Sequence, residues 1–406
     1  MTGLNMKTFA LLALFASALW VSTGLMAAAQ AKPPVADQDF YRWMASEQGR
    51  NASLAQLRQQ CDKVLDADRH LSCSVTVLAR MLEAKAANQL PEYYLAIKAR
   101  HARAIAASAD LQPLFSTFGS KSLALLATTG DFTVNGSTQH EVLQLHPYAN
   151  DFSTAEQVLP FIDVGSAKDV TARFVLDTGA PQTRVNIDTA KQMGIKWLPD
   201  AFYRYSTFYG EKDLAARLGV IRSLKVGTRE FRNVLVFVSD RDNLLGLDLI
   251  SKLGRLKITG RTLELNPPPV TRCDASVVVS RLDLNQRLVV AAQLDRRETQ
   301  AIIDTGNVDY LTASSPGRQL SDVHALTPGS SSVAPNGHKR FQRFDGVLAL
   351  QGNTMAVTYK YYPGFTIPPS LIDGQYVPSI LLGWRAFKDF ELNLDLDSGR
   401  SCLNKI

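Results

Sequence analysis

The stretch Phe174-Val175-Leu176-Asp177-Thr178-Gly179 returns later in the chain as Ala301-Ile302-Ile303-Asp304-Thr305-Gly306. Each copy is a short apolar run ending on Asp-Thr-Gly, the composition of a buried strand that closes in a tight turn. Each is followed by a second apolar run ending in glycine, Leu244-Leu245-Gly246 and Leu381-Leu382-Gly383, whose glycines lie 69 and 79 residues beyond the aspartates. Gly260-Arg261-Thr262 and Gly399-Arg400-Ser401 come next, 14 and 16 residues further on. One Asp-Thr-Gly arises by chance in roughly one chain in ten of this length. Two copies in the same order of features describe an internal duplication, with about ten residues inserted in the second copy.

The sequence around the motifs agrees with a β architecture. From about residue 155, runs such as Val158–Val164, Arg173–Leu176, Val234–Val238, Leu288–Leu294 and Val347–Leu350 are separated by Gly, Asn, Asp and Pro. Asn266-Pro267-Pro268-Pro269 is a stiff break that no central strand accommodates. It divides the β region into lobes over 150–266 and 270–406. Residues 32–140 read instead as a small helical domain, with apolar residues three and four apart in Ala52–Ala67, Val75–Ala87 and Tyr93–Ala107. Pro91 suits a helix start. His70 and His101 stand among Arg and Asp and read as solvated surface rather than ligands.

The repeated motif resembles that of the aspartic proteases of the pepsin and retropepsin fold, which place hydrophobic-hydrophobic-Asp-Thr-Gly at a strand end and thread a hydrophobic-hydrophobic-Gly strand beside it. Phe174–Ala180, with Ala after the glycine, is closer to the retropepsin form. The resemblance covers about residues 155–406. It implies a mainly β fold of two pseudo-symmetric β-barrel lobes, preceded by the helical domain. It also implies catalytic Asp177 and Asp304, brought together within one polypeptide where retropepsins pair two chains. Two carboxyl groups held close share one proton, so the pair supplies both base and acid for the attack of water on a peptide bond, with no cofactor and no metal. Thr178 and Thr305 are then expected to bond across the pseudo-twofold axis. Gly179 and Gly306 allow close backbone approach. A flap is expected at Ser206–Gly210, where Tyr209-Gly210 resembles the Tyr-Gly of pepsin flaps. Pro335-Asn336-Gly337 makes a hairpin turn in the second lobe, in polar and basic surroundings. Two positions depart from the family pattern. Asn307 follows the second motif where Ser, Thr or Ala is usual, and Pro181-Gln182 replace an acidic pair frequent in viral retropepsins. The reading is an exported aspartic endopeptidase; a non-catalytic peptide-binding or scaffold protein on the same fold is the alternative, motivated by Asn307.

Composition narrows the remaining classes. The chain of 406 residues is 46% hydrophobic and 20% charged, which excludes a mainly disordered or coiled-coil protein. An excess of 44 Lys+Arg over 38 Asp+Glu gives +6, with no stretch that concentrates it, so nucleic acid is not an expected partner. Residues 1–31 carry one charge, Lys7, then the apolar Phe9–Leu25 and Ala29-Gln30-Ala31, the pattern of a secretory signal peptide. Uncleaved, this segment is the expected membrane contact. Export permits disulfides, and of three connectivities Cys61–Cys73 with Cys273–Cys402 is preferred because each closes a region on itself. The expectations are a periplasmic or secreted bacterial protein that acts on peptides, as a monomer or a dimer.

Overall fold

The computed structural model of the chain describes residues 40–148, 158–205, 207–208, 214–282, 285–313, 327–351, 353–362 and 380–406, apart from 41, 45, 51, 335 and 336, together with Phe365 and Ile367. The expected signal segment and the Tyr209-Gly210 pair lie outside the described residues.

The first lobe is built from β1 (Leu159–Ser166), β2 (Thr171–Asp177), β3 (Arg184–Asn186), β4 (Lys196–Tyr205), β5 (Leu214–Val226), β6 (Arg229–Ser239) and β7 (Leu244–Gly246). Six of them, in the order β6, β3, β7, β2, β1 and β5, close on themselves because β5 pairs back with β6. Lobe two repeats this plan. Its β10 (Ala275–Leu282) leads into β11 (Asn285–Leu294), β12 (Arg297–Asp304), β13 (Leu311–Ala313), β14 (Thr327–Ala334), β15 (Gly337–Leu350), β16 (Asn353–Tyr361) and β17 (Ile380–Gly383). The ring β15, β16, β13, β17, β12 and β11 closes where β15 meets β11. The polar Pro335-Asn336-Gly337 segment thus joins two paired strands, β14 and β15.

Between the two rings runs a shared sheet. β8 (Leu256–Ile258) and β9 (Thr262–Leu265) follow the first ring, while β18 (Phe390–Leu394) and β19 (Ser401–Lys405) follow the second. β8 pairs antiparallel with β18, Leu256 against Leu394 and Ile258 against Leu392. β10 joins beyond β19, and the early strand Glu141–Gln144 joins beyond β9, so each lobe contributes three strands to one continuous ladder. Among the described residues strand structure therefore begins at Thr133, ahead of the change in sequence texture, because these early residues complete the first lobe's edges.

The helical region comprises α1 (Leu54–Cys61), α2 (Ala67–Glu83), α3 (Leu90–Arg100) and α4 (Ser120–Ala127), with shorter turns between them. The single helix expected over Ala52–Ala67 ends at Cys61, because Asp66 caps a new helix by accepting from the Arg69 amide. Cys61–Cys73 links α1 to α2 with 5.7 Å between Cα atoms, and Cys273–Cys402 links the start of lobe two to its last strand with 5.3 Å.

These helices do not form a core of their own. Along β6, Val234, Val236 and Val238 face the interior of the first lobe, whereas Leu235 and Phe237 face the helices, alongside Leu57, Leu78, Tyr94 and Phe118. A strand reads as a continuous apolar run when both faces are covered. The Val234–Val238 run records that the helical region is the outer layer of lobe one, not a separate bundle. His70 and His101, expected at the surface, are 1% and 7% exposed and stack on each other with 2.8 Å between ring nitrogens.

Candidate active site

Both Asp-Thr-Gly segments sit where the parallel pairing of two strands ends. β7 runs beside β2 with Gly246 opposite Asp177, and β17 runs beside β12 with Gly383 opposite Asp304. The two loops meet back to back at the pseudo-twofold axis. The Thr178 amide donates to Thr305 Oγ1 at 3.0 Å, and the Thr305 amide donates to Thr178 Oγ1 at 3.1 Å. Each hydroxyl then crosses to the other lobe, Thr178 Oγ1 to the Ile303 carbonyl at 2.8 Å and Thr305 Oγ1 to the Leu176 carbonyl at 2.5 Å. Four such bonds between fully buried groups fix the separation of the lobes at this point.

The glycines explain themselves by what surrounds them. A Cβ at Gly179 would overlap the Asp304 carboxyl, and one at Gly306 would overlap the Asp177 carboxyl. Each carboxyl group is therefore packed over the opposite lobe's glycine, and no side chain fits there. Asp177 and Asp304 are 9% and 7% exposed.

Their surroundings are unequal. Asp177 Oδ1 accepts from the Gly179 and Ala180 amides at 2.9 and 2.8 Å. Asp304 Oδ1 accepts from the Gly306 amide at 3.1 Å, but the next amide, that of Asn307, donates to the Asp304 backbone carbonyl. Burial pushes both carboxyls up, and in Asp304 the facing Asp177 charge adds to it, so Asp304 is raised well above its ordinary range. The two amides thus favour a charge on Asp177, while burial and the facing Asp177 charge favour the protonated form of Asp304. The Asn307 side chain is engaged within lobe two, donating to Thr312 Oγ1 at 3.0 Å and accepting from the Asp309 amide at 3.1 Å.

Three cations, Lys85, Lys360 and Arg287, brace the neighbourhood of the Asp-Thr-Gly loops and have no counterpart in the motif. Lys85, at the end of α2 in a left-handed conformation (φ 58°), buries its ammonium against Asp248, Gln182 Oε1 at 3.1 Å and the Leu235 carbonyl at 2.9 Å. Asp248 in turn accepts from Thr183 Oγ1 at 2.7 Å and the Thr183 amide at 3.0 Å. Thr183 Oγ1 receives the Gly246 amide at 3.1 Å, closing a path from α2 to β7, the strand beside Asp177. In lobe two, Lys360 pairs with Asp309. Arg287, 2% exposed, donates from Nη1 to the Gly179 carbonyl. A lone charged residue in a loop or strand gives no periodic or motif signal. Leu-Leu-Gly-Leu-Asp248, set against Leu-Leu-Gly-Trp-Arg385 in the other copy, was the one visible hint. Gln182, standing where an acidic residue is frequent in viral retropepsins, spends its side chain on Lys85.

Among the described residues no group of three His, Cys, Asp or Glu is arranged to hold a metal ion, and no helix is long and apolar enough to cross a membrane.

Comparison with known proteins agrees with this geometry. Residues 165–252 match the family model described as gag-polyprotein putative aspartyl protease. No curated protein sequence matches the chain. Among solved structures, a retropepsin-like aspartic protease from Rickettsia conorii is 20% identical, covering 34% of this chain and 94% of its own at a TM-score of 0.22. The aspartic proteinase from Irpex lacteus is 12% identical, covering 66% of this chain and 97% of its own at a TM-score of 0.42. By the family match over its first lobe, and by two β lobes that meet at paired Asp-Thr-Gly loops, the chain is similar to the retropepsin-like and pepsin-like aspartic proteases.

Proposed function

We propose that the chain is an exported aspartic endopeptidase that hydrolyses peptide bonds by water activated between Asp177 and Asp304. The observation that carries the reading is the crossed packing of each carboxyl over the opposite lobe's glycine, locked by the Thr178–Thr305 bonds. Asp177, ionised and held by two amides, takes the proton from water. Asp304, which holds the shared proton, gives it to the carbonyl oxygen as the tetrahedral centre forms; proton return through the pair then lets the amine leave. Thr178, Gly179, Thr305 and Gly306 keep the pair in place, and Tyr209-Gly210, which lies in sequence between β4 and β5, is the segment proposed to act as a flap on substrate. The substrate is an extended peptide, and one polypeptide holds both halves of the site, so a monomer suffices. Two disulfides support folding in an oxidising compartment, periplasmic or extracellular.

The test is cleavage of an unstructured peptide library by the mature full chain against Asp177→Asn and Asp304→Asn. Each variant is expected to lose at least about 1,000-fold in kcat. Turnover by Asp177→Asn at the wild-type rate eliminates the reading.

A further inference from the structure

Arg287 breaks the pseudo-symmetry of the site. The β11–β12 register, Val289 against Ile302 and Val290 against Ala301, places Arg287 across from Asp304. In lobe one, the β1–β2 register, Phe161 against Val175, places Leu159 across from Asp177. A cation therefore stands in lobe two where the duplicated position is apolar. It is nearly fully buried, and its Nη1 reaches across to lobe one to donate to the carbonyl of Gly179, within the loop that positions Asp177. Its guanidinium lies over the ring of Phe208, 4.9 Å from the centroid, and Phe208 in turn meets Phe365 edge-on at 6.2 Å. Its Nε is buried with no acceptor among the described residues.

A guanidinium buried at this depth with Nε unpaired is poorly compensated by one carbonyl and one ring face alone. The missing compensation comes from the carboxyl pair beside it. We propose that Arg287 is a positioning residue of the site, tying lobe two to the Asp-Thr-Gly loop of lobe one and holding a cation beside the Asp177–Asp304 pair. The proposal rests on the endopeptidase reading for its kinetic consequence but not for its structural one. Two cations face the pair. Arg184, on β3, bonds the Asp242 carbonyl at 3.2 Å and the Tyr205 hydroxyl at 3.4 Å and lowers Asp177 more than Arg287 does, whereas Arg287 is the buried one and bears on Asp304 as well. Arg287 acts on both carboxyls in the direction opposite to burial, making the charge of the pair easier to bear.

The experiment is a carboxyl titration of Asp177 and Asp304 by 13C NMR in the full mature chain, which needs no turnover, alongside pH profiles of kcat and kcat/KM. In Arg287→Met the shared proton is expected to leave at higher pH, with the alkaline limb of kcat/KM moving up in parallel. A fall in kcat on the order of 10–100-fold is expected as the Gly179 loop loosens. Arg287→Lys, which keeps the charge and loses the planar fork, is expected to hold the titration near wild type while kcat still falls. A folded Arg287→Met that titrates like wild type overturns the proposal. Should Arg287→Met not fold, Phe208→Ala takes its place. It frees the guanidinium from its ring face and is expected to shift the titration in the same direction; an unchanged titration there overturns the proposal as well. Absence of turnover in wild-type protein counts against the endopeptidase reading alone, because the titration is read independently.

Discussion

Lys85 and Asp248 are 1% and 0% exposed, and the attraction between them is what makes their burial tolerable. Replacing one partner leaves a charge in the core. Lys85→Met is therefore expected to cost about 3–5 kcal/mol in chemical denaturation, well beyond an ordinary surface substitution. Asp304 gives the opposite sign. Its folded-state proton is held above the ordinary value of 3.8, so the stability linked to it is full at low pH and is lost as pH rises through its folded-state titration. Asp304→Asn removes that loss, and calorimetry should find the variant melting above wild type at pH 7, with the difference shrinking toward pH 4. A difference constant with pH refutes the assignment of the proton. Asp177 and Asp304 were legible in the sequence because a duplicated tripeptide at matched spacing is a local pattern. Lys85 and Arg287 were not, because their partners lie 163 and 108 residues away in the chain and only folding brings them together.

At the scale of elements, β4 also serves a helix. α4 begins after Gly119, which has no side chain to cap it, and Asp200 on β4 supplies the acceptors, taking the Ser122 amide at 2.8 Å and the Lys121 amide at 3.2 Å. The Ser122 hydroxyl and then these amides hold the Asp200 carboxyl below its usual range. Its contribution is thus present above the ordinary carboxylate range and is lost as pH falls below it. Asp200→Ala is expected to lower the melting temperature by a few degrees and to speed amide exchange in the first turn of α4. A cap searched for in the residue before the helix is invisible when it comes from another element. The same holds for the buried histidines: spaced 31 residues apart, they read as separate surface groups until α2 and α3 stack. Burial first, then Arg100, lowers His70 from 6.5 to about 4. The unfolded chain binds this proton first, so stability falls as pH drops from 6.5 to about 4, by on the order of 2–3 kcal/mol. His70→Gln should flatten that part of a stability–pH curve.

Over the whole molecule, two closed rings, one shared sheet and a helical outer layer follow from an apolar pattern that the sequence shows in outline. Missing from that outline was the merging of the helices with lobe one. Both helices and strands presented ordinary amphipathic faces, and only the doubly buried β6 hinted that a third layer lay across the sheet. Deleting residues 32–128 should therefore expose Leu198, Leu218, Val220, Leu235 and Phe237 together, and yield insoluble protein rather than an activated enzyme. Cys273–Cys402 closes a loop of 129 residues, and replacing both cysteines with serine is expected to cost about 4–5 kcal/mol. That disulfide ends on β19, a strand of Ser401–Lys405 that sits between β10 and β18 and not at an edge. β18 is the strand through which lobe two meets β8 of lobe one, so β19 ties that junction to the rest of its own lobe, and the disulfide anchors the tie to the lobe's first residues.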